Sequence, residues 1–349
     1  MSGAERGASG SGGEADSGGP KVRTWPGSAV PNRPRMRSGQ QVPITDPDRR
    51  TRLAASFNQD AAVEDAQAYD AVRPRYPVQI VRRLLKPGGW ALSGGSAEFF
   101  PTAPRQSAHL TDEALRPGDT DAQERPRVVE LGAGTGILTR ALLMEGANVD
   151  AVEPSPPMAQ VMADRWESEA GAVAAAPADR LVIHRTTAER TGLSEGHADL
   201  VVAAQAWHWF DHEAVVAEAR RLLRPGGAFA VVGNFLDTSV DWVHRLTRIM
   251  RAGDVYRPGW KPWVDEAAFQ PWSTVEERWA RTITPEGLRR LARTLSSWLS
   301  AGESGRERMA RNLTWYLDEF LPEAHPEAYA GTGDVRLPYI TVLHTTCLR

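Results

Sequence analysis

The sequence predicts an α/β domain in which a mainly parallel β-sheet carries helices on both faces. Strand-like segments alternate with amphipathic helical segments between residues 128 and 232, and this alternation is typical of right-handed β–α–β connections. The segment from Asp199 to Ala204 is almost wholly apolar, as expected for a strand that is buried on both faces. A glycine-rich turn follows the first strand-like segment, and such turns in α/β folds lie beside ligands.

This glycine turn is the feature from which the other elements are placed. Val128 and Val129 favour a buried strand, and the apolar run from Ile137 to Met144 favours a helix. Between them lies Gly132-Ala133-Gly134-Thr135-Gly136. Because alternate glycines let the backbone turn tightly against a bound molecule, this segment predicts a nucleotide-binding turn.

The N-terminal part of the chain contains two predicted helices and two irregular segments. Residues 1–50 are rich in Gly, Ser, Pro and Arg and predict a disordered tail, so we place the domain at residues 51–349. One helix is predicted over 60–71, before the prolines that follow Arg73, and a second begins near Pro77. Residues 90–126 show no sustained period and predict an inserted flexible loop.

The remaining elements follow from their apolar patterns. Strands are predicted at 149–152, 181–184, 199–204, 229–232 and 337–343, and helices at 158–166, 213–223, 288–299 and 309–320. Pro338 suits a strand start or an edge. Residues 236–276 carry aromatic side chains at irregular spacing and predict an aromatic cap over the site, which the helical pair at 285–321 follows.

Composition excludes several classes of protein. A single cysteine, Cys347, rules out an intramolecular disulfide framework and a cysteine-based metal site, and it favours a reduced, cytoplasmic setting. The formal net charge of −3 lacks the basic excess of most nucleic-acid-binding proteins, so nucleic acid is disfavoured. No segment approaches the roughly 18 apolar residues of a membrane span, and the histidines show no metal-ligand spacing. We therefore predict no membrane association and no metal; the oligomeric state is not predicted.

The glycine turn matches the pattern of a dinucleotide-binding turn only in part. A dinucleotide-binding turn has glycines at its first, third and sixth positions, and the sixth position here is Ile137, which weakens that interpretation without removing it. Glu153 stands at the end of the next predicted strand, where a carboxylate accepts hydrogen bonds from the two hydroxyls of a ribose.

Four segments carry a resemblance to a known family. Glu130 to Gly136, together with Glu153, resembles the first two motifs of the class I S-adenosylmethionine-dependent methyltransferases. Within the methyltransferase type 11 group, the branch that includes trans-aconitate methyltransferases has similar elements, which here are Asp199 to Phe210, Leu222 to Gly227, and Tyr69 with Arg73-Pro74-Arg75-Tyr76-Pro77. The resemblance implies a Rossmann-like fold with a seven-stranded sheet, and S-adenosylmethionine as the cofactor.

The resemblance also implies which residues bind that cofactor. Gly132 and Gly134 would approach its methionine part, Glu153 its ribose, and Met158 its adenine; relatives often carry an acidic residue where Thr187 stands. The complete implied set is Tyr69, Arg73, Glu130, Gly132, Ala133, Gly134, Gly136, Glu153, Pro154, Met158, Thr187, Ala188, Ala204 and Gln205.

The methyl acceptor is expected beyond the strand that ends at Ala204, because open α/β sheets bind ligands at the carboxyl ends of their strands. His208 is the candidate catalytic residue, and a general base and a purely structural histidine are both open for it. The predicted acceptor pocket consists of Trp207, His208, Trp209, Trp260 and Trp263. Core packing is the alternative for the aromatic residues after Leu236.

The function that follows is transfer of a methyl group from S-adenosylmethionine to an oxygen, nitrogen or carbon of a small molecule. Two alternatives stay open from the sequence. One is an NAD(P)-dependent oxidoreductase, and the other is an inactive S-adenosylmethionine-binding protein that serves as an interaction module.

Overall fold

The computed structural model describes residues 62–86, 125–172, 180–253, 255–331 and 333–349. The predicted tail at 1–50 and nearly all of the predicted loop at 90–126 lie outside these residues. No helix in the described part of the chain is both long and apolar enough to cross a membrane.

Seven strands form one sheet in the order β3-β2-β1-β4-β5-β7-β6. They are β1 Arg127–Leu131, β2 Asn148–Val152, β3 Leu181–His184, β4 Ala198–Ala204, β5 Leu223–Leu236, β6 Ser273–Ile283 and β7 Val335–Cys347. The first five strands are parallel, whereas β7 lies antiparallel between β5 and β6. The predicted seven-stranded, mainly parallel, Rossmann-like sheet is therefore confirmed.

Most helices lie at predicted segments, but the helix at 241–250 was not predicted and the predicted helix at 288–299 is divided in two. The helices are α1 Val63–Val72, α2 Val78–Leu84, α3 Ile137–Met144, α4 Pro156–Ala172, α5 His212–Leu222, α6 Asp241–Met250, α7 Pro285–Arg293, α8 Ser296–Leu299, α9 Glu303–Trp315 and α10 Leu321–Ala324. A π-helical turn, Tyr316–Phe320, joins α9 to α10. The hydroxyl of Thr284 caps α7 by accepting a hydrogen bond from the N–H of Gly287 at 2.8 Å, and Pro285 opens that helix.

Successive residues of the central strands point to opposite faces of the sheet, as strand geometry requires. Val128, Leu200 and Val202 pack on one face with α2, α3 and α4. Val129 and Val201 pack on the other face with α5. A third apolar cluster joins α6, α7 and α9 to the start of β7. The sheet thus holds the carboxyl ends of its strands at one edge, between two helical layers.

The structure differs from the sequence prediction after β5. Residues 236–276 were predicted to be an irregular aromatic cap, but this range contains α6 and the start of β6. β6 was missed because it is an edge strand with charged residues such as Glu276 and Arg278, so its apolar alternation is weak. Its strand conformation comes from pairing along its full length with β7, a long-range interaction.

Pro338 lies inside β7 but beyond the end of the β5 ladder, whose last pair is Leu236 with Tyr339. At Pro338 the register partner is Ala280 of β6. Pro225-Gly226-Gly227 forms a bulge at the start of β5, where the register with β4 shifts.

Candidate functional site

A cavity of about 300 Å³ lies against the glycine turn, at the carboxyl ends of the strands. Every predicted cofactor-binding residue except Gly136 lines it: Tyr69, Arg73, Glu130, Gly132, Ala133, Gly134, Glu153, Pro154, Met158, Thr187, Ala188, Ala204 and Gln205. Residues that are far apart in the sequence, such as Tyr69 and Gln205, therefore line the same cavity. We call it the larger cavity.

The glycine turn needs its glycines for conformation and for space. Gly132, Gly134 and Gly136 have φ values of 68°, 60° and 77°, in the left-handed region that side chains other than glycine rarely adopt. A Cβ on Gly136 would lie 2.4 Å from Cγ of Met162, so this residue shapes the start of α3 without lining the cavity. A Cβ on Gly134 would meet nothing within 4 Å, since that residue faces the open cavity.

Glu153 follows β2 and is held by backbone amides on both carboxylate oxygens. The N–H of Gly134 donates to Oε2 at 2.7 Å, and the N–H of Ser155 donates to Oε1 at 2.8 Å. Burial raises the pKa of Glu153, and these two hydrogen bonds oppose that rise. Each carboxylate oxygen can accept more than one hydrogen bond, so the group can still accept from a ligand hydroxyl.

Glu130, at the end of β1, is a second buried carboxyl group in the larger cavity. Burial raises its pKa to about 8; the hydrogen bond from the Thr139 hydroxyl, 2.6 Å from Oε2, opposes the rise, and the nearby charge of Glu153 adds to it. Near neutral pH this carboxyl group is mostly protonated. It can therefore donate a hydrogen bond as well as accept one.

Asp70 joins α1 to the glycine turn, and sequence reasoning missed it. It is 1% exposed, and its Oδ1 accepts hydrogen bonds from the Thr135 hydroxyl and from Nη2 of Arg140, each at 2.9 Å. Arg75 also donates to it, at 3.2 Å. Burial alone would raise the pKa of Asp70, but hydrogen bonds from Arg75 and Arg140 outweigh burial and lower it. No local pattern signalled this contact, because Arg140 lies 70 residues away.

Tyr69 and Arg73, on and just after α1, form the wall opposite the sheet. The Arg73 guanidinium carbon lies 4.4 Å from the centroid of the Tyr69 ring, and Nη2 of Arg73 donates to the carbonyl oxygen of Thr294 at 2.7 Å. Thr294 is the C-cap residue of α7. Arg73 thus connects α7 to the larger cavity, which it also lines.

Gln205 and Asn234 mark the ends of β4 and β5. Gln205 has a φ of 55°, unusual for a residue with a side chain, and its Nε2 donates to the carbonyl oxygen of Asn234 at 2.8 Å. The side chain of Asn234 is buried; its Oδ1 accepts from the Thr341 hydroxyl at 2.5 Å. Sequence reasoning missed Asn234, although a polar amide near the end of an apolar strand was an available signal.

A second, smaller cavity of about 90 Å³ adjoins the larger one. Both cavities are lined by Tyr69, Arg73, Pro74, Gln205, Trp209 and Asn234. His208 lines only the smaller cavity, where Met250, Leu291 and Leu295 supply an apolar wall from the helical layer. Two of the five predicted acceptor-pocket residues, His208 and Trp209, thus meet there.

The other three predicted acceptor-pocket residues line neither cavity. Trp207 is buried in the core, where its ring stacks on His212 with centroids 4.4 Å apart. Trp260 packs edge-on against His344, at 5.5 Å, and Trp263 is 48% exposed. Most aromatic side chains after β5 pack in the core, as Phe269 does against Phe229.

Within the described residues, no group of three or more acidic, histidine or cysteine side chains is arranged to hold a metal ion. His184 and His197 instead flank one carboxylate, that of Asp150, at 2.7 and 2.8 Å.

With this geometry established, comparison with known proteins gives the class. Residues 129–231 match the family model described as a methyltransferase domain. An uncharacterized methyltransferase of Mycobacterium tuberculosis is 34% identical over 221 residues, which are 62% of this chain and 81% of the relative. An uncharacterized methyltransferase-like protein of Schizosaccharomyces pombe is 26% identical over 287 residues, 80% of this chain and 91% of the relative.

Among solved structures, a putative type II methyltransferase from Anaeromyxobacter dehalogenans matches with a TM-score of 0.44 at 24% identity, covering 79% of this chain and 97% of that one. The sequence matches decide the family: the chain belongs to the class I S-adenosylmethionine-dependent methyltransferases. The predicted enzyme class is confirmed, while the trans-aconitate branch stays a prediction.

Proposed function

We propose that this methyltransferase acts on a small-molecule acceptor whose reacting group enters the smaller cavity. The observation that carries the proposal is that the two cavities are adjacent and share six lining residues. A methyl donor in the larger cavity and an acceptor in the smaller one would lie next to each other beside these shared residues. Such alignment is a large part of what a methyl transfer needs from its enzyme.

The larger cavity fits S-adenosylmethionine in its volume and its chemistry. Its 300 Å³ lies at the lower end of the roughly 300–1,000 Å³ usual for small-molecule sites. Glu153 would accept hydrogen bonds from the ribose hydroxyls, Met158 would lie along the adenine, and Gly134 would leave room for the methionine part. Arg73 would face the cofactor's carboxylate.

The smaller cavity limits the part of the acceptor that it can enclose. Its 90 Å³ is well below the size of a drug-like site, so it would hold one group of the acceptor. Leu291, Leu295 and Met250 favour an apolar group, while Asn234, Gln205 and Arg73 can hydrogen-bond to a polar or anionic atom beside it. We infer an acceptor that combines a short apolar portion with a hydrogen-bonding or anionic group.

When bound, S-adenosylmethionine supplies a methyl group on a positively charged sulfur, which is electrophilic without further activation. The protein's part is therefore to align the acceptor and to exclude water. Tyr69, Trp209 and Asn234 surround the junction between the cavities and would do both. If the acceptor atom carries a proton, His208 is placed to accept it in the smaller cavity.

Cofactor binding is tested by isothermal titration calorimetry with S-adenosylmethionine and S-adenosylhomocysteine. Binding of both is expected, and the Glu153→Ala variant should bind each more weakly. Failure of both to bind in the millimolar range would remove the proposed use of the larger cavity.

The acceptor is tested by a screen of small metabolites in an assay that follows S-adenosylhomocysteine formation. For an acceptor found in this way, Ser296→Phe should fill part of the smaller cavity and lower kcat/KM, with cofactor affinity unchanged. Ser300→Phe is the matched control, because Ser300 lies next to α8 but is exposed and lines neither cavity. Full activity of Ser296→Phe would show that the acceptor binds elsewhere.

The role of His208 is tested separately with the same acceptor. His208→Ala should lower kcat and change its pH profile if His208 accepts a proton, and leave cofactor affinity unchanged. An unaltered pH profile would assign His208 to packing against Trp209, whose ring centroid lies 4.8 Å from its own.

A further inference from the structure

An open cleft of about 650 Å³ lies between α6 and α9, and it shares no lining residue with either cavity of the candidate site. Four arginines line it, against one acidic side chain, that of Asp241: Arg245, Arg248 and Arg251 from the α6 side and Arg308 from α9. The whole chain carries a formal net charge of −3. The cleft is therefore a local concentration of positive charge on a slightly acidic protein.

The arginines of this cleft, which we call the arginine cleft, are not neutralised by ion pairs within the described residues. Ion pairs of that part of the chain involve other arginines, such as Arg311 with Glu307 at 3.5 Å within α9. All four arginines of the arginine cleft are exposed. Unpaired guanidinium groups that converge on a concave surface attract and bind anions.

One of the arginines, Arg245, is held in position by aromatic rings. The Arg245 guanidinium carbon lies 4.0 Å from the ring centroid of Phe320 and 5.6 Å from that of Trp315, so cation–π contacts limit its freedom. Arg251 is the C-cap of α6; its φ of 50° is the left-handed conformation with which helices commonly end.

The α9 wall adds a favourable electrostatic environment and open space. Gly305 lies in the first turn of α9, where the helix dipole favours negative charge. A Cβ on Gly305 would have one close neighbour, the Cβ of Ala301 at 3.4 Å. Asn312 lines the same wall and can donate from its amide.

We propose that the arginine cleft binds a small, multiply charged anion of the phosphate-ester type. The planar guanidinium fork matches the geometry of phosphate oxygens, and four such groups around 650 Å³ suit a ligand with more than one negative charge. The concave shape between two helices favours a small molecule over a nucleic-acid strand, which tracks an extended basic groove. This site is independent of the cavities assigned to methyl transfer.

The test is titration of the full chain with inorganic pyrophosphate at low salt, followed by calorimetry. Binding is expected, and Arg248→Glu and Arg308→Glu should each weaken it by about tenfold or more. Arg311→Glu is the matched control on α9: Arg311 does not line the arginine cleft, so this variant should weaken binding much less than either cleft variant.

A second variant keeps every arginine. Gly305→Glu places a negative charge in the arginine cleft without a severe clash, and it should also weaken pyrophosphate binding. Affinity for S-adenosylmethionine should stay unchanged in all these variants, which separates this proposal from the proposed function. Absence of pyrophosphate binding, or equal weakening by Arg311→Glu, would overturn it. Tighter binding of a single-stranded oligonucleotide, lost in the same variants, would overturn the small-anion assignment.

Discussion

The backbone N–H of Gly134 donates a hydrogen bond to Oε2 of Glu153 across 2.7 Å, which connects the turn after β1 to the end of β2. The N–H of Ser155 holds the other oxygen. The carboxylate that faces the larger cavity is therefore fixed by the backbone of the glycine turn itself. The conformation of the glycine turn and the position of the Glu153 carboxylate therefore depend on each other through this hydrogen bond.

Replacing Glu153 should weaken cofactor binding more than it weakens the fold. Glu153→Gln keeps the shape but removes the charge, and its amide group can place a donor against the N–H of Gly134 or Ser155. We expect affinity for S-adenosylmethionine to fall by about 1–3 kcal/mol, the usual cost of losing hydrogen bonds to a charged group. Calorimetric titration measures this, with thermal unfolding as the control for the fold. Unchanged affinity would show that this carboxylate does not contact the cofactor.

Replacing Asp70 should destabilise the protein and also weaken cofactor binding. In Asp70→Asn the buried Arg140, whose side chain is 5% exposed, loses its buried charged partner and keeps only Glu169, whose side chain is 45% exposed. We expect the free energy of unfolding to fall by about 3 kcal/mol, as for other broken buried ion pairs. Cofactor affinity should fall as well, because α1 carries Tyr69 to the larger cavity. Urea unfolding and calorimetry measure the two effects.

Arg75→Ala is the control for this prediction. The Arg75 side chain is 53% exposed, so its ion pair with Asp70 is screened by solvent and worth less than about 1 kcal/mol. A loss as large as that of Asp70→Asn would mean that the exposed pair, and not the contact with Arg140, stabilises α1.

Glu130 should make the stability of the ligand-free protein fall as the pH rises. Its pKa in the folded state is about 8, above the ordinary value of 4.5, so the folded protein binds this proton more tightly than the unfolded chain does. The contribution of this proton to the free energy of unfolding is fully present below about pH 4.5 and is lost as the pH rises to about 8. The loss is no more than about 1.4 kcal/mol per pH unit. Glu130→Gln should therefore gain stability over the native protein across this window, measured by urea unfolding. Parallel pH profiles would contradict it.

His344 should have the opposite effect at lower pH. Burial, with the positive charge of Lys261, lowers its pKa from 6.5 to about 4, so the unfolded chain binds this proton more tightly. Its contribution is fully present above about pH 6.5 and is lost as the pH falls to about 4, amounting to about 3 kcal/mol at most. His344→Asn keeps a hydrogen-bonding partner for the Thr274 hydroxyl, 3.0 Å from Nδ1, but does not titrate. Its thermal unfolding should depend less on pH than that of the native protein; an equal dependence would assign the acid sensitivity elsewhere.

The parts of the fold that could be predicted from sequence are those in which neighbouring residues determine the structure. The three glycines of the turn, Gly132, Gly134 and Gly136, have left-handed backbone conformations. The apolar runs of β1 and β4 indicate strands that are covered on both faces. β6 was not predicted because its residues are half polar and its conformation depends on pairing with β7, about 60 residues further along the chain. Propensity over a short window does not contain that information.

The sequence by itself determined the class of fold and the glycine turn, since these follow from local backbone and packing requirements, and its resemblance to a known family implied the residues expected beside that turn. Only the tertiary structure decided that Asp70 and Asn234 hold the site together, that Trp207 stacks on His212 in the core while Trp209 lines both cavities, and that the arginines of α6 and α9 face one cleft. The reason is that burial and charge proximity depend on residues far apart in the chain, whose separation the linear order does not fix.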